Sequence, residues 1–259
     1  LEGMPLVGSD ADSITVATRH FSHFFISMIE NALLKKNIES GFRPGIDDWQ
    51  FDNVGSYIAP GGHCAGQSIA AMWYYYAKPD GKEARLYGRY DNNGNQPETP
   101  NLWQDDSLGY RFCCTIQKDY EASPMDANLK WEALAGVGWK WENNKRKRIE
   151  MPGISDESTW RLFAYSIQAS GQPQLLSMKS NAGGGHAIIC YAVSGNGTLL
   201  VADPNYHGRD DRKIEYAEGK FKPYNSGANK ADIDAGKGKA YGKIIYKGAW
   251  TLVPYDKIA

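Results

Sequence analysis

The stretch HAIICYAVSGNGTLLVADP, residues 186–204, constrains the fold more than any other part of the chain. Two runs of mostly apolar residues flank SGNG, whose Asn-Gly pair favours the positive backbone φ angles of a tight turn. This pattern predicts two antiparallel strands joined by a hairpin. Any fold proposed for the chain therefore has to contain an antiparallel sheet that includes both strands.

The length of the hairpin loop decides which side chains lie across from each other. A two-residue loop places Cys190 opposite Asp203, and the four-residue loop SGNG places His186 opposite Asn205, with Asp203 one diagonal step away. Either even-length loop puts His186, Asp203 and Asn205 on one face of the sheet, whereas a three-residue loop does not. An imidazole beside a carboxylate or carboxamide supplies the base and the orienting group of a nucleophilic site.

The nucleophile of such a site is predicted at Cys64, in the stretch PGGHCAGQSIAAMWYYY. After Gly66 this stretch lacks Pro and Gly, and its large apolar residues recur every three or four positions, which predicts a buried helix beginning near the cysteine. A thiol at a helix N-terminus lies at the positive end of the helix dipole, beside unpaired N–H groups that favour the thiolate. The preceding Pro-Gly-Gly lets a substrate approach closely, and the amide of Cys64 can contribute to an oxyanion hole.

Other segments set the order of elements around these two motifs. Residues 1–12 are small and polar and predict a loose end, and residues 80–112 are rich in turn formers and predict surface loops. Helical periodicity marks residues 13–38, 125–137 and 155–171, the last with a capping Ser at its start and Gly at its end. Further strands are predicted from QPQLLSMK, RKIEY and AYGKIIYKGAWTLVPY. Helices early and strands late predict an α+β fold with a segregated antiparallel sheet.

Composition limits the size and the partners of the protein. A chain of 259 residues with 42% hydrophobic residues can bury a sizeable core, and we predict one domain over residues 13–259, with a helical lobe at about 13–135 and a β lobe at about 136–259. The 29 basic and 30 acidic side chains nearly cancel, so no net field favours nucleic acid. No apolar run approaches the length of about 18 residues that a membrane span needs.

Cysteine usage points away from a disulfide framework or a metal centre. The chain has four cysteines and no CxxC pair. Cys113 and Cys114 are adjacent and could bridge each other only through a strained ring, so we expect thiols. His63 beside Cys64 cannot by itself supply tetrahedral metal ligands, and no metal site is predicted.

Together these residues resemble the papain-like cysteine peptidases, in which a Cys heading a long helix in one lobe meets a His and an Asn or Asp from a sheet lobe. GGHCAGQS is similar to the GHCxGM-type motif of bacterial, often exported, peptidase-like domains. GGGHAIICYAV with VADPNYHG is similar to their GHAVV-type strand and following Asp-containing segment, a pattern shared with bacteriocin-leader peptidases. The likeness in pattern covers residues 50–207, and only the two short blocks are specific.

The resemblance implies a papain-like α+β fold and a thiol hydrolase that cleaves peptide bonds through a thioester, with no cofactor. Cys64 would be the nucleophile, His186 the general base and later the general acid, and Asp203 the residue that orients the imidazole, with Asn205 as the alternative. The resemblance also implies a peptide or protein substrate and a secreted or cell-envelope location in a bacterium. The sequence does not predict an oligomeric state.

The predicted oxyanion hole departs from the papain-like pattern. Those enzymes place a Gln about six residues before the Cys, and this chain has Ile58 there. The nearest upstream carboxamides are Gln50 and Asn53, and Asn53 is favoured because it resembles the aromatic-x-Asn of the related bacterial domains. Gln67, one turn into the helix, offers a further side-chain amide.

Three alternative functions stay open. A transglutaminase-like acyltransferase also has the order Cys, His, Asp with an amine as acceptor, although its typical aromatic after His-Ala is Ile188 here. A papain-like cell-wall amidase would use a second His, and His207 faces His186 if the loop has two residues. A catalytically inactive papain-like binding module would fit the missing Gln.

Overall fold

The computed structural model describes most of the chain and shows a mixed α+β protein. The described residues are 6–9, 14–16, 31–77, 85–90, 108–122, 137–143, 145–150 and 153–248. Their helices are α1 Asn31–Leu34, α2 Cys64–Ala77, α3 Leu108–Ala122, α4 Asp156–Ser170 and α5 Lys230–Asp234. None of the helices in these ranges is long and apolar enough to cross a membrane.

The strands pair antiparallel throughout the described ranges. In chain order they are β1 Leu6–Ser9, β2 Ile14–Val16, β3 Ile38–Glu39, β4 Val137–Glu142, β5 Lys145–Glu150, β6 Gln174–Lys179, β7 Gly185–Val193, β8 Leu199–Ala202, β9 Lys213–Ile214, β10 Tyr216–Ala217, β11 Lys220–Phe221, β12 Tyr224–Ser226, β13 Lys239–Tyr241 and β14 Lys243–Gly248. The largest sheet runs β14-β6-β7-β8-β9, with β3 also paired to β7. The predicted strands around the hairpin are thus confirmed.

The hairpin between β7 and β8 forms, but its loop has neither predicted length. Ser194 N–H donates to Thr198 O over 2.9 Å, and Gly197 N–H donates to Ser194 O over 2.8 Å. These bonds leave residues 195–197 in the loop, which therefore has three residues. Without any further irregularity, a three-residue loop would place His186 on the opposite face of the sheet from Asp203 and Asn205.

A β-bulge restores the register on the side of the hairpin away from the loop. The pairing of β7 with β8 shifts between Cys190 and Ala192, so Tyr191 is the extra residue. Beyond the bulge, Cys190 pairs with Val201, which is the register of a four-residue loop. The bulge therefore undoes the effect of the odd loop before the chain reaches His186.

The main sheet is covered by helices on both faces. Alternate residues of β6 and β7 belong to different apolar clusters, because side chains of a strand point alternately to its two faces. Leu175 and Ile189 pack in the cluster that contains α2 and α3, whereas Leu176 and Ile188 pack in the cluster that contains α4. The helix α2 is thereby fixed against the face of the sheet that carries Leu175 and Ile189.

The helix α4 confirms the prediction for residues 155–171. Ser155 caps its start by accepting a hydrogen bond from Ser158 N–H. Gly171 ends it with φ 67°, a left-handed conformation that glycine adopts without strain. Local capping chemistry was sufficient to place both ends of this helix.

Three segments differ from the sequence predictions. Residues 13–38 were predicted helical, but Ile14–Val16 is strand β2, and it pairs with β1 inside the segment expected to be loose. Asn31–Leu34 is helical, and residues 17–30 lie outside the described residues. The helix α3 begins inside residues 80–112, which were predicted to be loops. Of the helix predicted at residues 125–137, only Val137 is described, and it begins β4.

The helices α2 and α3 approach each other at Gly66. A Cβ atom on Gly66 would lie 1.9 Å from the backbone oxygen of Cys113, so only glycine fits between the two helices here. Gly66 N–H also donates to Gln117 Oε1 over 3.0 Å, which joins the first turn of α2 to α3. Close packing at this point holds the N-terminus of α2 in place.

We expect Gly66→Ala to lower the free energy of unfolding by about 2 to 3 kcal/mol, because the added methyl group overpacks the contact with α3. Urea unfolding followed by circular dichroism measures the effect. Gly61→Ala is the matched control, since a Cβ there would meet nothing within 4 Å and should change the stability by less than about 0.5 kcal/mol. Equal midpoints for the two variants would contradict the close helix contact.

Candidate active site

Cys64 is the first residue of α2, and the loop before it is held by Asn53. The amide of His63 donates to Asn53 Oδ1 over 2.6 Å, and the carbonyl of His63 accepts the first hydrogen bond of the helix, from Gln67 N–H. Gly62 has φ +115°, and a Cβ there would lie 2.9 Å from Asn53 Oδ1. Glycine is therefore required for the turn that delivers the chain to Cys64.

His186 and Asp203 form a buried ion pair. The distance from His186 Nε2 to Asp203 Oδ1 is 2.7 Å, and both side chains are 0% exposed. His186 is the second residue of β7, and Asp203 follows the last residue of β8 directly. The structure thus brings together two of the predicted site residues, in the pairing expected of a base and its orienting carboxylate.

Asp203 accepts hydrogen bonds on both oxygen atoms. Besides His186, Oδ1 accepts from Asn205 N–H over 2.9 Å, and Oδ2 accepts from Tyr224 over 2.7 Å and from Ser226 over 2.9 Å. Burial by itself would raise the pKa of Asp203, but the charge of His186 and these donors lower it below its usual range. Asp203 is therefore held as a carboxylate.

Cys64 lies on the remaining side of the imidazole. Burial by itself would lower the pKa of His186, but the negative charges of Asp203 and Cys64 outweigh it and raise the pKa to about 10. Within the described part of the chain, the buried Nδ1 of His186 has no hydrogen-bond partner. Because Asp203 occupies Nε2, Nδ1 is the ring nitrogen left to exchange a proton with Cys64.

Exposure separates Cys64 from the other cysteines only slightly. All four cysteines are thiols and all are buried. Cys64 is 9% exposed, whereas Cys113 and Cys190 are 0% exposed. Burial raises the pKa of the Cys113 and Cys190 thiols. Cys64 is consequently the cysteine best placed to react.

Asn205, the alternative orienting residue, supports the pair from one step further away. Its Nδ2 lies 3.4 Å from His186 Nε2 and donates to Gly227 O over 2.9 Å and to Ser226 over 3.2 Å. Its Oδ1 accepts from Asn53 over 2.9 Å. Asp203 therefore makes the shorter contact with the imidazole. Asn205 links the His186–Asp203 pair to the loop before Cys64 through its hydrogen bond with Asn53.

Asn53 and Gln67, two of the carboxamides considered for the oxyanion hole, have hydrogen-bond partners in this structure. Asn53 Nδ2 donates to Asn205 Oδ1 over 2.9 Å and to Ala228 O over 3.2 Å, so an oxyanion role would require one of these bonds to break. Gln67 Nε2 donates to Phe51 O over 3.2 Å. Gln50 is exposed, and its Oε1 is close to Gly88. Their proposed oxyanion roles stay predictions.

The backbone amide of Cys64 is better placed for that role. Among the hydrogen bonds between described residues, none uses Cys64 N–H, whereas Gly66 N–H donates to Gln117 and Gln67 N–H donates to His63 O. A free N–H at the N-terminus of a helix is a suitable donor to a developing negative charge.

His207 does not meet His186. Its Nε2 lies 3.1 Å from Asp52 Oδ1, and its Nδ1 lies 3.4 Å from the hydroxyl of Tyr87. The pairing with His186 expected from a two-residue loop does not form, because beyond the bulge the two strands have the register of a four-residue loop. The second histidine of the amidase alternative is consequently not supplied by His207.

The residues of β12 and β13 that contact the His186–Asp203 pair are not predicted from the sequence. Tyr224 and Ser226 are two positions apart on β12, so both hydroxyls reach the same side of that strand. Tyr241 of β13 packs on the imidazole of His186, with ring centroids 6.1 Å apart. The alternation Tyr-x-Ser is the available signal, but nothing local connects it to an aspartate 21 residues before Tyr224.

The segment from β12 to β13, residues 224–241, also clamps the Cys64 loop. Lys230 N–H donates to Asn53 O over 2.8 Å, and Asn229 Nδ2 donates to Gly61 O over 3.1 Å. We call residues 224–241 the strap. It contacts both halves of the site, the turn at Asp203 and the loop before Cys64.

No protein-family model, curated protein or solved structure matches this chain. Among the described residues, no group of three or more His, Cys, Asp or Glu side chains could hold a metal ion. A function for the chain therefore has to be argued from the site itself.

His63, next to the site, is buried as an uncharged ring. It packs against Tyr110, with ring centroids 4.5 Å apart. Gly55 N–H donates to its Nδ1 over 3.3 Å, and the amide nitrogen of Gln67 lies 2.9 Å from its Nε2. Burial lowers the pKa of His63 to about 3. A protonated ring would also face two N–H donors, which reinforces the preference for the neutral form.

We expect the protein to lose stability as the pH falls from 6.5 toward 3, because the unfolded chain binds a proton at His63 in this range and the folded chain does not. Between pH 7 and about pH 5 the loss from this group is about 2 kcal/mol. Urea unfolding at both pH values measures it. In His63→Gln the difference between the two pH values should shrink, whereas in His207→Gln it should remain. An unchanged pH dependence in His63→Gln would contradict the assignment.

Proposed function

We propose that the chain is a papain-like cysteine peptidase that cleaves peptide bonds through Cys64, His186 and Asp203. The main support is the geometry of His186: Nε2 is bonded to Asp203 Oδ1 at 2.7 Å, and the unpaired Nδ1 is left for the thiol at the N-terminus of α2. A nucleophile, a base and a group that orients the base are the parts that covalent catalysis of acyl transfer requires.

In the proposed mechanism, the Cys64 thiol transfers its proton to Nδ1 of His186. The thiolate attacks the carbonyl carbon of a peptide bond, so a C–S bond forms and the carbonyl oxygen becomes an oxyanion. As the C–N bond breaks, His186 returns the proton to the departing amine. Water then attacks the thioester with His186 as base, and the acid product leaves Cys64 as a thiol.

Asp203 makes the first proton transfer favourable. Its carboxylate fixes the ring of His186 with Nδ1 directed away from Asp203, and its charge stabilises the imidazolium that forms. The raised pKa of His186 lets the imidazole hold the proton that it takes from Cys64. The donors from Tyr224 and Ser226 keep the carboxylate in position.

Three structural facts agree with a papain-like arrangement. The nucleophile heads a long helix, the helix packs on one face of an antiparallel sheet, and the His lies on β7 while the Asp directly follows the neighbouring strand β8. The peptide or protein substrate and the secreted or cell-envelope location belong to the same proposal, through the resemblance of the two sequence motifs.

We expect limiting iodoacetamide at about pH 6 to alkylate Cys64 before the other three cysteines, because ordinary thiols are almost fully protonated at that pH. Mass spectrometry of digested native protein measures the order of labelling. The variant His186→Ala should lose the preference for Cys64, and His207→Gln, a histidine change outside the triad, should retain it. A Cys64 that reacts no faster than Cys113 would contradict the peptidase and favour an inactive binding module.

Acyl transfer to an amine is a second candidate, and the burial of the site favours it. His186 and Asp203 are fully buried and Cys64 nearly so, and a site that excludes water can protect a thioester from hydrolysis. The residues of the triad would have the same roles, with an amine in place of water.

Incubation with casein and a fluorescent primary amine distinguishes the two candidates. A peptidase should produce fragments with new N-termini and no labelled protein, because water accepts the acyl group. Both products should be absent with Cys64→Ala, which removes the nucleophile. Labelled, uncleaved casein would show that the chain is an acyltransferase.

A further inference from the structure

Two of the buried polar atoms that lack a partner belong to rings at the site. In the described residues, four buried side-chain nitrogen or oxygen atoms have no hydrogen-bond partner: Nε1 of Trp49, Nε1 of Trp160, Nδ1 of His186 and the hydroxyl of Tyr241. The last two belong to rings in contact, with centroids 6.1 Å apart and planes inclined by 37°. An unpaired buried polar atom costs free energy, and such atoms are often kept because they serve a ligand.

The position of Tyr241 is set by its partner strand. Tyr241 pairs with Tyr224 across β12 and β13, so the two tyrosines enter the site from adjacent strands. The hydroxyl of Tyr224 donates a hydrogen bond to Asp203, so this buried hydroxyl has a partner. The hydroxyl of Tyr241 is equally buried but has no such acceptor within the described part of the chain.

The electrostatic surroundings keep the Tyr241 hydroxyl protonated. Burial, followed by the negative charges of Cys64, Asp203 and Asp232, raises its pKa to about 12. At neutral pH it is therefore a neutral donor. A neutral donor whose pKa is affected by the charge of Cys64 is suited to donate a hydrogen bond to an atom that becomes negative when Cys64 reacts.

We propose that the hydroxyl of Tyr241 donates a hydrogen bond to the oxygen of the carbonyl group that Cys64 attacks. This inference rests on the proposed function and deepens it. Tyr241 would act with the amide of Cys64 and would replace the Gln that is absent at Ile58. The carbonyl oxygen would give the unpaired hydroxyl its acceptor, and the bond would strengthen as that oxygen gains charge.

Two small electrophiles separate this role from other roles of Tyr241. In p-nitrophenyl acetate, the Cys64 thiolate attacks the carbonyl carbon, an oxyanion forms, and the C–O bond breaks to release p-nitrophenolate. In iodoacetamide, the thiolate displaces iodide from carbon in one step, and no oxyanion forms. Only the first reaction should depend on a donor to the carbonyl oxygen.

The expected result for Tyr241→Phe is acylation by p-nitrophenyl acetate slowed by about tenfold or more, with alkylation by iodoacetamide within about twofold of the original rate. Nitrophenolate release and mass spectrometry of Cys64 give the two rates. The thermal midpoint of Tyr241→Phe should stay the same or rise, because the variant removes an unpaired buried hydroxyl.

Tyr246→Phe is the matched control. Tyr246 is a buried tyrosine of the neighbouring β14, and its hydroxyl is hydrogen-bonded to Ser166 and Gln174. The variant should lower the thermal midpoint, because it leaves those partners unsatisfied, and it should not alter the ratio of acylation to alkylation.

Each other outcome overturns the inference in a recognisable way. Equal acylation of Tyr241→Phe and the original protein would leave the proposed function standing and refute the role of Tyr241. A similar slowing of both reactions would show that Tyr241 acts on the thiol instead of the carbonyl oxygen. If Cys64 of the original protein reacts with neither reagent faster than the other cysteines, the proposed function fails and this inference fails with it.

Discussion

The buried carboxylate of Asp203 is the charge on which the site is organised. A carboxylate cannot be removed from water without donors to replace the lost hydration, and here His186, Asn205, Tyr224 and Ser226 provide them. These donors come from β7, from the turn after β8 and from β12. The hydrogen bonds to the Asp203 carboxylate therefore bring three separate parts of the chain together and orient the imidazole of His186 toward Cys64.

Much of this arrangement could be predicted from local signals. The capped helix at residues 155–171, the helix starting at Cys64 and the hairpin strands all follow from periodicity and turn chemistry. The pairing of His186 with Asp203 was also predicted, although the loop length behind it was wrong. The pairing holds because the bulge at Tyr191 compensates for the odd loop, and a bulge leaves no trace in hydrophobic alternation.

The parts that could not be predicted depend on contacts distant in sequence. The helix α3 begins inside a stretch rich in turn-forming residues, and its position against α2 is set by the close approach of its backbone to Gly66. The sequence identifies Asn53 as a candidate carboxamide, but the two acceptors of its Nδ2 group, Asn205 and Ala228, come from more than 150 residues away. Propensity and spacing carry no information about such contacts.

The strap has a consequence for how the protein is made. Cys64, His186 and Asp203 all precede residues 224–241, which complete the hydrogen bonds of Asp203 and hold the loop of Cys64. A chain emerging from the ribosome therefore contains all three residues before it can arrange them. During translation, the hydrogen bonds that hold Cys64, His186 and Asp203 together therefore cannot be completed until residues 224–241 have been synthesised.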